Sequence, residues 1–238
     1  MFANFNRSDR RLLLTLLAMV AVFILWNVPQ LDFILYPFRL FVTYVHEAGH
    51  GTAALITGGR FQGFEVMSNG AGQAITAGGT RWLILPAGYL GAALFGAVLF
   101  YINNRFHYSR LLAVALGVGL IVFSVWFGRI ALLSLVVGIA FGAVLILLGL
   151  RANDYVNGFV LNILAMLTGL NAVLDVWLLI NNSDANLGTI RNDAAAFSAE
   201  IAPLIPGAVW AFLWALLALV MVGVSVWFGV VRPLRGKS

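Results

Sequence analysis

Residues 44–50 read Tyr44-Val45-His46-Glu47-Ala48-Gly49-His50. This H-E-x-x-H pattern lies in a segment that is apolar enough to sit within a bilayer. On a helix, positions i and i+4 share a face, so His46 and His50 can present two imidazole nitrogens to one Zn²⁺ while Glu47 stands beside them as a general base. The pattern is typical of a metalloprotease. The alternative, in which the three side chains pack without metal, would bury unpaired polar groups in hydrocarbon at high cost.

The composition around this motif is that of a membrane protein. The chain has 238 residues, of which 62% are hydrophobic and 10% charged, and its mean hydropathy is +0.97. So few polar residues cannot cover a soluble globule. We therefore predict an all-α polytopic membrane protein that forms a single membrane-embedded metallopeptidase domain over 1–238, with its core at 33–215.

Seven apolar runs are long enough to span a bilayer. They lie at residues 11–28, 33–57, 82–102, 110–127, 130–150, 155–181 and 207–231. An odd number of spans would put the two basic ends of the chain on opposite faces, whereas the positive-inside tendency favours both in the cytoplasm. The sequence therefore predicts six to seven transmembrane helices.

The charges indicate a lipid bilayer rather than a nucleic acid as the partner. The formal net charge of +5 comes largely from Arg7, Arg10 and Arg11 near the start and from Arg232, Arg235 and Lys237 at the end. Such flanks are typical of helix ends that face the cytoplasm and anionic lipid. The first apolar run has no small-residue cleavage site after it, which favours a retained anchor with a cytoplasmic N-terminus.

A glycine-rich stretch at residues 58–81 interrupts the apolar pattern between the second and third helices. Its alternating residues, with Asn69-Gly70 in the middle, predict a small β-hairpin. Non-helical backbone at membrane depth needs protein or water to satisfy its N–H and C=O groups, so such a hairpin would line a cavity. A plain polar connector on the surface is the alternative.

A catalytic zinc needs a third protein ligand and an open position for water. The absence of cysteine leaves nitrogen and oxygen ligands only. Asp175 is the favoured candidate because it lies within a long apolar span, where an ionisable group is expensive and by default functional. Asn171, four residues earlier on the same helical face, would orient the carboxylate or bind substrate. Asp184 is the rival, and His107 falls in an interfacial loop.

The segment at residues 181–206 is interpreted as a solvated loop with a short amphipathic piece. Its charged residues are most simply solubilising; they are Asp184, Arg191, Asp193 and Glu200.

Over roughly residues 42–215 the chain resembles the site-2 protease family of intramembrane zinc metalloproteases, in its compact B-type branch of bacteria and plants. The elements that carry the resemblance are His46-Glu47-Ala48-Gly49-His50, the Gly58-Gly59 tail, Gly78-Gly79, Ala87-Gly88-Tyr89-Leu90-Gly91, the helix bearing Asp175 and Ser183-Asp184-Ala185. Val176 departs from the family, where a glycine commonly follows, and this keeps Asp184 open as a ligand. The resemblance implies a membrane-buried Zn²⁺, transmembrane protein substrates, a bacterial cytoplasmic membrane and access from the cytoplasmic side.

These observations predict peptide hydrolysis within the membrane, with Glu47 as the catalytic base and His46, His50 and Asp175 as metal ligands. Two alternatives remain. In the first, the protein is not catalytic and a closed zinc site holds helices together or binds a partner. In the second, the buried His and Asp form an ion pathway in a small transporter, which does not explain Glu47 beside His46.

Overall fold

The computed structural model describes residues 7–106, 108–174 and 193–235, with side chains from Leu12 onward. The described part is mostly helical. Its α-helices are α1 (Arg7–Asn27), α2 (Asp32–Ile56), α3 (Arg81–Phe106), α4 (Ser109–Phe127), α5 (Leu132–Arg151), α6 (Asp154–Gly169), α7 (Asp193–Glu200), α8 (Gly207–Val226) and α9 (Arg232–Arg235). A hairpin of β1 (Arg60–Val66) and β2 (Gly72–Ala77) joins α2 to α3. The predicted helical class and the predicted position of the hairpin are confirmed.

Four helical segments of the described residues are long and apolar enough to cross a membrane, and a bent pair of helices would make a fifth span. The four are Arg81–Phe106, Ser109–Ile130, Leu132–Arg151 and Gly207–Arg235. The chain is therefore consistent with a multi-pass membrane protein. The predicted count of six to seven is not confirmed.

The count differs at two predicted spans. The first two runs form the bent pair, in which Leu12–Asn27 and Pro29–Ile56 meet at 102°. Pro29 starts a short 3₁₀ turn at this bend, where proline supplies no N–H to continue the helix. The predicted span at 155–181 begins with α6, and its last part, residues 175–181, lies outside the described residues.

Small residues let the helices approach closely, as is usual in membrane bundles. A Cβ added to Gly117 of α4 would strike the carbonyl oxygen of Gly142 of α5. One added to Gly96 of α3 would strike the backbone of Ala165 and Gly169 of α6. Side-chain volume at these positions would force the helices apart.

A buried polar network ties α1, α3 and α6 together. Asn103 Nδ2 donates to Gly158 O at 2.9 Å and to Asn162 Oδ1 at 2.8 Å. Asn162 Nδ2 donates to Thr15 Oγ1 at 3.1 Å, and Thr15 Oγ1 donates to Asn104 Oδ1 at 2.9 Å. Hydrogen bonds of this kind compensate for polar side chains in an apolar bundle and fix how neighbouring helices are aligned.

The hairpin has the predicted turn at Asn69-Gly70. Its strands are antiparallel, with pairs running from Arg60 and Ala77 to Val66 and Gly72. Gly70 has a φ of +88°, a conformation that costs glycine little. Its N–H donates to Met67 O at 3.0 Å and closes the turn.

The hairpin is packed among the helices. Phe61, Phe64 and Val66 of β1 are buried, and the Val66 N–H donates to Ser134 Oγ of α5 at 2.7 Å. Thr43 Oγ1 of α2 donates to Gly70 O at 2.7 Å. The alternative of a polar surface connector is therefore wrong, and the hairpin lies along the helix that carries the H-E-x-x-H motif.

Candidate active site

Helix α2 presents the two histidines of the motif side by side. His46 and His50 are one turn apart, their rings are edge to face with centroids 4.8 Å apart, and their Nε2 atoms are separated by 3.1 Å. His50 is buried, and the side chain of His46 is 12% exposed. The predicted pairing of these imidazoles is present.

Asp193, the first residue of α7, completes a cluster with them. Its Oδ2 lies 2.9 Å from His46 Nε2 and 3.2 Å from His50 Nε2. One ligand atom from each residue falls within 4.8 Å of the others, and this is the one His/Asp/Glu group of such geometry among the residues that the structure describes. The cluster could hold a metal ion.

The electrostatics of Asp193 favour its charged form. Burial alone would raise the pKa of the carboxyl, but the charge and hydrogen bonds of His50 and His46 outweigh it and bring the pKa below its usual range. A carboxylate held ionised beside two imidazoles is an oxygen ligand ready for a cation.

The orientation of His50 is fixed by α3. His50 Nδ1 lies 2.7 Å from Ile84 O. A carbonyl can only accept, so Nδ1 carries a proton and donates, and Nε2 is the nitrogen that faces the cluster and would offer its lone pair to a metal once deprotonated. A metal-ligating histidine commonly donates its other ring N–H in this way. The Tyr89 ring packs edge-on against His46, with centroids 4.6 Å apart.

Two glycines, one in α2 and one in α3, allow these two helices to lie close together at the histidines. A Cβ on Gly88 would overlap the Nε2 atoms of both His46 and His50. A Cβ on Gly49 would strike the Ala87 carbonyl oxygen. Gly88 therefore lets both imidazole nitrogens lie against the backbone of α3, and any side chain at this position would collide with them.

Glu47 lies outside the His/His/Asp group and faces the hairpin. It is 5% exposed. A Cβ on Gly72 of β2 would come within 2.5 Å of Glu47 Oε1, and the Ala74 N–H hydrogen-bonds the carboxylate. The carboxylate thus lies against β2, on the helix that carries both imidazoles.

The third-ligand candidates of the sequence analysis cannot be placed. Asp175, Asp184 and His107 lie outside the described residues. Asn171 is described and buried, and its neighbour Ala172 packs with Ala93 of α3 and Ala215 of α8. Its role at the site remains a prediction.

Asp193 is the residue that sequence reasoning missed, since its charge was interpreted as solubilising. An aspartate followed by Ala194-Ala195-Ala196 looks like an ordinary helix start, where Asp is favoured in any protein. Nothing in the adjacent residues indicates that Asp193 contacts the two histidines. The signal available was the apolar face of the helix that it begins, since Ala194 and Phe197 are both buried.

Comparison with known proteins gives one finding. A family model described as Peptidase M50B-like matches residues 15–225. No curated protein and no solved structure matches the chain. Because the family match covers most of the chain, and the H-E-x-x-H histidines within it converge with a carboxylate, the chain belongs to the Peptidase M50B-like family of site-2 protease-type intramembrane proteases.

Proposed function

We propose that this protein is a zinc-dependent metalloendopeptidase that hydrolyses peptide bonds of membrane-embedded substrates. The observation that carries the proposal is the convergence of His46 Nε2, His50 Nε2 and Asp193 Oδ2, with Glu47 next to the pair on the same helix. A structural zinc site would not need a carboxylate in that position.

The donor set fits zinc. Two neutral imidazoles and one carboxylate are a common catalytic zinc set, which leaves a fourth position for water. Tetrahedral bonds of about 2.0–2.1 Å would separate the ligand atoms by roughly 3.3 Å. The observed separations of 2.9, 3.1 and 3.2 Å are close to this.

We propose Asp193 as the third ligand. Its support is direct contact with both histidines. Asp175 stays a candidate from the sequence because a carboxylate in an apolar span needs a compensating partner. Substituting Asp193 and Asp175 one at a time distinguishes the two candidate ligands, because the variant that lacks a ligand loses the metal.

The chemistry follows from Glu47 and its neighbours. A bound Zn²⁺ would supply Lewis acidity, polarising the scissile carbonyl and lowering the pKa of water to about 7. Glu47 takes the proton from the attacking water and passes it to the leaving amine. The Ala74 N–H restrains the carboxylate for this transfer, and burial keeps bulk water away.

The substrate would reach Glu47 as an extended strand. A transmembrane helix hides its carbonyls in hydrogen bonds, so it must unwind before hydrolysis. Within the described residues β2 pairs only with β1, and the Ala74 N–H of β2 hydrogen-bonds Glu47. An unwound peptide added along the unpaired edge of β2 would pair with the remaining backbone groups of that strand.

We propose a bacterial cytoplasmic membrane as the location, with the N-terminus in the cytoplasm. Arg7, Arg10 and Arg11 support this orientation through the positive-inside tendency. Access to the site from the cytoplasmic side is implied by the family resemblance. Because the chain has no cysteine, a single cysteine at Ser8 labelled with an impermeant thiol reagent tests the orientation: protection in intact cells is expected, and labelling there would contradict it.

Replacing Glu47 with Gln tests the mechanism. The glutamine keeps the shape of the side chain but cannot take a proton, so cleavage of a transmembrane substrate should fall by about 10²- to 10⁴-fold. Zinc content, measured on the same purified sample, should stay at the wild-type level. Undiminished cleavage would remove Glu47 as the base, and an inactive wild type with full zinc would favour a structural or partner-binding site.

A further inference from the structure

Helix α7 supplies a ligand but cannot hold its own position. It has 8 residues, and helices much shorter than about 12–15 residues are unstable in isolation. Its place, and with it the place of the Asp193 carboxylate, is therefore set by contacts with other elements.

One such contact is apolar. Phe197 is one turn after Asp193 on α7 and is buried. Its ring lies 4.7 Å from Trp210 and 5.6 Å from Trp214 of α8, measured between centroids. This packing holds the middle of the helix.

The far end of α7 is held by a bidentate ion pair to α3. Glu200, the last residue of α7, accepts from Arg81, the first residue of α3. Arg81 Nε to Glu200 Oε2 is 2.9 Å, Nη2 to Oε1 is 2.8 Å and Nη2 to Oε2 is 2.7 Å. Two parallel hydrogen bonds give an Arg–carboxylate pair a defined geometry, unlike a single point contact.

This ion pair joins the two helices that shape the metal cluster. The first turns of α3 contain Ile84 and Gly88. The Ile84 carbonyl orients His50, and Gly88 lets both imidazoles lie against α3. Helix α7 supplies Asp193. Fixing Glu200 to Arg81 therefore fixes the carboxylate ligand relative to the imidazoles.

We propose that Arg81 and Glu200 are positioning residues that dock α7 against α3 and thereby set the metal affinity of the His46, His50 and Asp193 cluster. The inference rests on the proposed function, because it takes that cluster to be the metal site. Neither residue touches the cluster, so the effect passes through the position of α7.

The test uses the full chain with Arg81→Gln, Glu200→Gln and the charge-swapped double variant Arg81→Glu with Glu200→Arg. Arg39→Gln is the matched control, since Arg39 and Asp32 form another exposed ion pair on α2. Zinc affinity is measured by competition with a chromophoric chelator. Docking of α7 is measured without metal, in the presence of chelator, as the rate at which a cysteine introduced at the buried Ala194 reacts with a thiol reagent.

Exposed ion pairs contribute up to about 1 kcal/mol, which is roughly a fivefold change in an equilibrium. We expect each single Gln variant to weaken zinc binding and accelerate Ala194→Cys labelling by roughly twofold to fivefold, with the swap restoring both and Arg39→Gln changing neither. The absorption spectrum of bound Co²⁺ should shift in the single variants and return in the swap.

Unchanged labelling and zinc affinity in Arg81→Gln and Glu200→Gln would overturn the proposal. So would equal losses in Arg39→Gln, or a swap that restores neither quantity. If wild type binds no zinc while the labelling rates change as expected, α7 docking is correct but the proposed metal function fails, and the assigned effect on metal affinity fails with it.

Discussion

The candidate site depends on a glycine at position 88 as well as on the side chains that could bind the metal. Gly88 faces the Nε2 atoms of His46 and His50, and a methyl group there would occupy the space next to both. In the sequence Gly88 stood out only as part of the Ala87-Gly88-Tyr89-Leu90-Gly91 element of the family resemblance. Its contact with the imidazoles could not be predicted, because it depends on the rotation of α3 about its own axis, which a small-residue pattern does not specify.

Gly88→Ala should therefore abolish metal binding. The added Cβ collides with ligand nitrogens, so the imidazoles must move or the cation cannot approach. Zinc content of the purified variant is the measurement, with Gly119→Ala as the control because a Cβ at Gly119 meets nothing within 4 Å. Full zinc occupancy in Gly88→Ala would mean that the ion lies elsewhere.

The hairpin and α7 differ in how well the sequence predicted them. The hairpin has a local signal, since alternating residues flank Asn69-Gly70, and this turn needs only near neighbours. Helix α7 was seen as a short amphipathic piece, but its position rests on contacts of Phe197 with Trp210 and Trp214 and of Glu200 with Arg81, which lie on other helices. Contacts of that kind leave no local pattern.

The hairpin gives a prediction that tests the position of Glu47 independently of metal binding. In Gly72→Val the new side chain meets Glu47 Oε1 and Thr43 Cγ2, so the carboxylate should be displaced. Cleavage should fall at least about tenfold, toward the 10²- to 10⁴-fold contribution of a general base, while zinc content is unchanged. Gln73→Ala, an exposed position on the same strand, is the control. Wild-type turnover in Gly72→Val would show that β2 does not set the position of Glu47.

For the molecule as a whole, composition predicted the structural class and the motif supplied two of the three residues of the His/His/Asp cluster. Hydropathy is summed over many residues, so the helical membrane architecture follows from it without knowledge of any contact. The number of spans does not, because the 102° bend between α1 and α2 joins two apolar runs that look independent in sequence. Apolar length alone cannot tell a bent pair from two spans.

The assembly of the helices also explains why the sequence pointed to Asp175 and not to Asp193. The argument from burial selects an acid inside an apolar span, and it does not find a half-buried acid on a separate short helix that packs beside the histidines. The Asp193 contacts join residues 147 positions apart. Only the assembled bundle brings them together.

The central claim is that His46, His50 and Asp193 hold one zinc ion, and metal analysis of purified protein tests it most directly. Wild type, Asp193→Ala and Asp175→Ala are compared side by side, with Glu47→Gln as the variant that should keep its metal. We predict one zinc per chain in wild type and loss in Asp193→Ala of more than the roughly 10- to 100-fold in affinity that removal of an outer-shell partner costs. Retained zinc in Asp193→Ala, together with its loss in Asp175→Ala, would contradict the account.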